Sequence, residues 1–180
     1  MSLESCQDWL EEETGAKVLL TPSCTAALEA SVMLSGVGWG DEVILPSFAY
    51  PTCASSIVRA GGVPVFVDIS IETLNIDLMA VERAITERTK AVMVIWYAGV
   101  TEEQEALVEL CKMHRLTLIE DAAQCVGWWK LRGDYGAMSF HRTKNASCGE
   151  GGALFVAPSY YERASTLCAC GTDRWKDKRN

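Results

Sequence analysis

Short apolar runs alternate with amphipathic stretches along this chain, and that alternation is the first guide to its fold. Residues 17–20 (KVLL) and 42–45 (EVIL) are short strand candidates, and 63–69 (VPVFVDI), 91–96 (AVMVIW) and 116–120 (LTLIE) are stronger ones. The last three are rich in Val and Ile and apolar almost throughout, the pattern of strands covered on both faces. Residues 138–140 (MSF) and 152–156 (GALFV) complete the strand set. Between them lie helical patterns. Residues 25–34 are mostly apolar and must be buried; 51–60 begin with Pro51 and stop at Gly61-Gly62, as a first-turn proline and a terminal glycine favour. Residues 77–85 carry Leu78, Val81 and Ile85 on one side. Residues 102–114 place Leu107, Leu110 and Cys111 on one face, with acids first and Lys112 and His114 last, a polarity that complements the helix dipole. Strands alternating with helices predict an α/β fold: a three-layer, mostly parallel sheet with helices on both faces.

Composition narrows the class. The 180 residues are 49% hydrophobic and carry 16 Lys plus Arg against 24 Asp plus Glu, a net charge of −8. One domain of ordinary size follows, with enough core to fold without staples. The acidic balance argues against a nucleic-acid partner, and no apolar run approaches the roughly 20 residues of a membrane span. The N-terminus lacks the basic start and apolar middle of a signal peptide, so a cytoplasmic protein is expected. The eight cysteines include no CxxC pair, and the one close pair is Cys168 and Cys170. They read as small buried hydrophobes in a reducing compartment, and no metal is expected.

In an open parallel sheet, ligands gather where strands end. Four segments sit at or near such places. Residues 21–28 (TPSCTAAL) open the buried helix: they offer either an ordinary N-cap by Ser23 or Thr25, or exposed first-turn N–H groups for an anion such as phosphate. The glycines of 36–41 (GVGWGD) follow a helix and precede a strand, the reverse of a dinucleotide fingerprint, and read as a helix stop and turn. In 118–124 (LIEDAAQ) a carboxylate could solvate the loop, cap the next helix or hold a cationic ligand atom. In 139–145 (SFHRTKN), followed by 149–152 (GEGG), Lys144 is either a solvated surface charge or a Schiff-base lysine. Taken in order, an anion-binding helix start, an acid after a central strand, and Ser and Lys five residues apart are what pyridoxal phosphate requires.

Those segments, together with GDEVILPSFAYPTCASSIVRAGGVPVFVDI, TLNID and YAG, resemble the DegT/DnrJ/EryC1/StrS family of sugar aminotransferases from about Leu10 to Gly171. The resemblance implies the pyridoxal 5′-phosphate-binding large domain of a fold type I transferase over 1–180, truncated at both ends and without the C-terminal small domain. It implies Lys144 as the catalytic, cofactor-linked amine, Asp121 on the pyridinium nitrogen, Gln124 near the ring hydroxyl and Tyr50 stacked on the ring. Cys24, Thr25 and Ser139 would bind the phosphate. The implied reaction moves an amino group from glutamate to a dTDP-linked 4-keto-6-deoxy sugar, in a homodimer. The alternatives are an incomplete fragment that keeps only fold, cofactor binding or dimerisation, and a plain α/β interaction module. Trp96, the TEEQ of 101–104 and the short 125–138 loop with Trp128-Trp129 depart from the family pattern.

Overall fold

The computed structural model describes residues 2–102 and 104–172. Seven strands form one sheet: β1 (Lys17–Thr21), β2 (Glu42–Pro46), β3 (Val63–Val67), β4 (Thr89–Ile95), β5 (Thr117–Asp121), β6 (Tyr135–Ser139) and β7 (Gly152–Val156), in the order β1-β7-β6-β5-β4-β2-β3. Pairing is parallel from β3 through β6, and β7 runs antiparallel to both β6 and β1. The described helices are α1 (Leu3–Thr14), α2 (Cys24–Leu34), α3 (Pro51–Arg59), α4 (Leu78–Ala84), α5 (Gln104–His114) and α6 (Tyr161–Cys168).

Alternate strand residues feed two separate cores, because side chains of a strand point to opposite faces. Ile44, Val92, Val94, Leu118 and Phe155 pack with Leu10 of α1, Val81 of α4 and Leu107 of α5. Val43, Leu45, Met93, Ile119 and Leu154 pack with Leu28 and Val32 of α2, Ile57 of α3 and Ala164 of α6. The expected three layers are present, with α1, α4 and α5 on one side and α2, α3 and α6 on the other.

Three expectations need correction. The 63–69 run is not covered on both faces: β3 is an edge strand, with Val63 46% and Phe66 55% exposed. Its Pro64, which cannot donate to a ladder, suits an edge. The cysteines are all free, yet only Cys53, Cys111 and Cys125 are buried, and Cys148, Cys168 and Cys170 are exposed. Helices α1 and α6 were not expected, because acids and hydroxyls break up their apolar stripes. α1 is nevertheless closed at both ends: Ser2 Oγ accepts the Ser5 N–H at 3.1 Å, and Gly15 takes the left-handed conformation past the last turn. The glycine segment after α2 is the helix stop and turn expected, with Gly36 and Gly40 both at positive φ.

Candidate functional site

The parallel strands bring their carboxyl ends to one edge of the sheet, and β7, running the other way, brings its amino end there. Thr21, Gly152 and Ser139 form one rung across β1, β7 and β6. Helix α2 starts directly over that rung. Ser23 is its N-cap, accepting the Ala26 N–H at 3.1 Å, while the Thr21 hydroxyl donates to the Ser23 carbonyl at 2.9 Å. Cys24 and Thr25 therefore open the helix with N–H groups that have no intrahelical acceptor, and the dipole favours an anion before them. A Cβ on Gly152 would lie 2.5 Å from the Cys24 nitrogen, so only glycine lets β7 pass so close under the helix start.

Asp121 ends β5 between Ile95 of β4 and Ala137 of β6. Its side chain is buried; Oδ1 accepts the Ala123 N–H at 3.0 Å and Oδ2 accepts the Cys53 thiol at 3.2 Å. Burial raises this carboxyl above the usual acid range, against the opposing pull of those two hydrogen bonds and of the Lys144 charge. Burial, with Asp121 adding to it, also pushes the Cys24 thiol well up. Cys24 is thus a neutral thiol at the helix start and not a nucleophile.

Lys144 sits on the excursion between β6 and β7. That segment is closed by Phe140 N–H to Gly151 O and Arg142 N–H to Gly149 O, both at 2.9 Å, and the Lys144 N–H turns back to His141 O at 2.8 Å. The His141 ring is braced between Thr143 Oγ1 at 2.9 Å and Glu150 Oε1 at 3.4 Å. The half-buried Lys144 faces two adjoining cavities of about 280 and 420 Å³, both bordered by Tyr50, Asp121, Ala123 and Lys144. Gln124 borders the smaller one, and Cys24, Thr25 and Ser139 border the larger. All seven residues singled out from the sequence thus meet at one cleft. Tyr50, at the start of α3, is 72% exposed at its mouth beside the Phe48–Tyr97 ring pair, whose centroids are 4.9 Å apart. Gln124 is tied down by its own acceptor: Oε1 takes the Ala98 N–H at 2.9 Å, leaving its amide N–H groups to donate.

Sequence reasoning missed Cys53, which reads as a core residue of an apolar helix, and Ala123, whose contribution is a backbone N–H. It also missed the bracing of the lysine loop by His141, Thr143 and Glu150. Nothing in their spacing signals these roles. A larger cavity of about 590 Å³ lies between α1 and residues 146–152, lined by Leu3, Cys6, Trp9 and Leu10, but neither Asp121 nor Lys144 reaches it.

The three departures noted in the sequence converge on one residue. Glu120, fully buried on the opposite face of β5 from Asp121, accepts Trp96 Nε1 at 2.7 Å, Gln104 Nε2 at 2.6 Å and Trp129 Nε1 at 2.9 Å on Oε2. Its Oε1 accepts the Arg132 and Gly133 N–H groups at 2.9 and 2.6 Å. Trp96 of the post-β4 position, Gln104 of TEEQ and the short loop with Trp129 are therefore one coupled set. Trp128 is half-exposed and donates to Gly99 O at 3.1 Å, which ties the same loop to the Tyr97–Gly99 turn.

Comparison with known proteins agrees with this geometry. The chain is 42% identical over 147 residues to the spore coat polysaccharide biosynthesis protein SpsC of Bacillus subtilis (strain 168), a match covering 78% of this chain and 38% of SpsC. The solved aminotransferase TlmJ from Streptoalloteichus hindustanus superimposes with a TM-score of 0.87 at 35% identity, over 96% of this chain and 50% of TlmJ. NtdA from Bacillus subtilis, solved with bound cofactor PMP, gives a TM-score of 0.85 at 28% identity, over 91% of this chain and 39% of NtdA. The chain thus spans half or less of the length of these relatives. The model of one family matches residues 10–180, nearly the whole sequence, and the chain belongs to that family, the DegT/DnrJ/EryC1/StrS aminotransferases.

Proposed function

We propose that residues 1–180 are the large, cofactor-binding domain of a sugar aminotransferase that uses pyridoxal 5′-phosphate, with glutamate as amino donor and a dTDP-linked 4-keto-6-deoxy sugar as acceptor. One observation carries the reading: Asp121 and Lys144, 23 positions apart in the chain, border the same two cavities. The residues present fit the cofactor. A glycine-floored helix start offers N–H groups for a phosphate, an under-bonded buried carboxylate suits a cationic ring nitrogen, and a primary amine borders the same cavity. The relatives support it too: SpsC is named for polysaccharide biosynthesis, and NtdA carries the aminated form of this cofactor.

When bound, pyridoxal phosphate supplies an aldehyde carbon that exchanges amines and a ring that withdraws electrons. The chain's own residues do the rest. The Cys24 and Thr25 N–H groups and the Ser139 hydroxyl hold the phosphate. Asp121 keeps a proton on the ring nitrogen, a task for which a buried carboxylate needs a cation beside it. Gln124 would donate its amide N–H to the ring hydroxyl, and Tyr50 would supply an aromatic face for the ring. Lys144 Nζ would be the amine that holds the cofactor aldehyde and the base that moves a proton at the substrate carbon. Among the described residues no helix is long and apolar enough to cross a membrane; a cytoplasmic homodimer is the assembly this reading expects.

The test is spectroscopic. Protein loaded with pyridoxal phosphate and given glutamate is expected to lose the aldehyde-form absorbance and gain that of the pyridoxamine form. Adding a dTDP-4-keto-6-deoxyhexose should reverse this and yield an amino sugar nucleotide by mass spectrometry. A loaded protein that ignores glutamate would reduce the chain to cofactor binding, and a protein that does not take up the cofactor would contradict the reading outright.

A further inference from the structure

Helix α3 begins at the cleft wall with Pro51 and carries Cys53 on its buried face, fully enclosed by the core. A buried cysteine is ordinarily one more small hydrophobe. Cys53 is placed differently: its sulfur lies 3.2 Å from Asp121 Oδ2, a partner 68 residues away on β5. The other carboxylate oxygen is held by the Ala123 N–H. Burial, then the neighbouring Asp121 charge, pushes the thiol far up, so it keeps its proton and can only donate to that oxygen.

A carboxylate gripped by one backbone N–H remains free to turn about its last side-chain bond. A second donor, arriving from a different element, fixes the plane of the group. Together the two donors leave about two of the roughly four acceptor sites of an ionised carboxylate unfilled, on a residue that borders both cavities. The rigid placement of α3 against the sheet, by Cys53, Ser56 and Ile57, makes the donor part of the core and not of a mobile loop.

We propose that Cys53 is a positioning residue: its S–H···Oδ2 bond sets the orientation of the Asp121 carboxylate for a protonated ring nitrogen. The effect on cofactor rests on the reading of Asp121 given above, whereas the hydrogen bond itself does not.

Two arms of one experiment separate these. In the cofactor-free protein, the S–H stretching band of Cys53, isolated as wild type minus Cys53→Ala, is expected at lower frequency than a free thiol and is expected to return to the free position in Asp121→Ala. A free-thiol band in the wild type overturns the proposal, whatever the cofactor does. In the second arm, dissociation constants are measured for pyridoxal phosphate and for its analogue with ring nitrogen replaced by carbon. Cys53→Ala should weaken the natural cofactor about tenfold and the analogue not at all, while Cys53→Ser, which keeps a donor, should stay within about twofold of wild type. Equal losses in Ala and Ser, or equal losses for both ligands, would make Cys53 a packing residue and overturn the proposal. A wild type that binds neither ligand would sink the Asp121 reading, with the infrared arm still deciding the thiol. Circular dichroism of each variant confirms that the comparison is made between folded proteins.

Discussion

Glu120 and Asp121 are neighbours on β5, both with buried side chains, and they do opposite things. Glu120 faces the α1/α4/α5 layer and receives five N–H donors, three of them from Trp96, Gln104 and Trp129. Asp121 faces the α2/α3 layer and receives two, from Ala123 and Cys53, beside a cleft that also holds Lys144. A carboxylate whose lone pairs are filled by the protein is a structural tie. One left short of donors next to a cavity is an electrostatic vacancy, and groups so perturbed gather at functional sites. The short loop that carries Trp129 is anchored on the first, and the cleft shared with Lys144 opens beside the second.

That contrast is open to mutation. Glu120→Gln should have the largest effect, because it points an N–H₂ group at donors that then lose their acceptor. We expect a loss of about 3 kcal/mol, read as a lower urea midpoint; unchanged stability would mean that Glu120 is not the tie described. Trp129→Phe removes one of those donors and some ring volume from a buried site, and should lose about 2 kcal/mol. Asp121→Asn should go the other way, stabilising the cofactor-free protein by about 1 kcal/mol at neutral pH while abolishing cofactor binding. The sign follows from burial. The folded-state carboxyl lies above its unfolded value, so as pH rises the unfolded chain releases its proton first. The stability contributed by the protonated acid is present in full below the unfolded value and is lost as pH climbs through the folded one. Denaturation curves at a series of pH values should show this decline in wild type and its absence in Asp121→Asn; parallel curves would contradict the assignment.

Much of this was legible in sequence, for identifiable reasons. The Val- and Ile-rich runs located β4 and β5, and residues 152–156 matched β7 to the residue. The Pro51 start and the glycine stop after α2 bounded the helices as their chemistry requires. Apolar content alone could not distinguish a central strand from an edge, which is why β3 was misjudged. The Glu-rich α1 hid its helix because only Leu10 and Thr14 are buried on it. Six of the seven candidate residues stand in segments at or near strand ends and Tyr50 came by resemblance, yet what supports them was not readable. Cys53 on Asp121 spans 68 residues and the ties on Glu120 span 9 to 24. Contacts of that kind belong to the folded sheet and leave no local signature.

The central claim is that one amine and one carboxylate serve the same cofactor. Borohydride reduction of the protein mixed with pyridoxal phosphate, followed by peptide mass mapping, tests it directly. A single phosphopyridoxyl mass on Lys144, greatly diminished in Asp121→Ala, is the result expected. Label spread over other lysines, or a Lys144 adduct indifferent to the loss of Asp121, would contradict it.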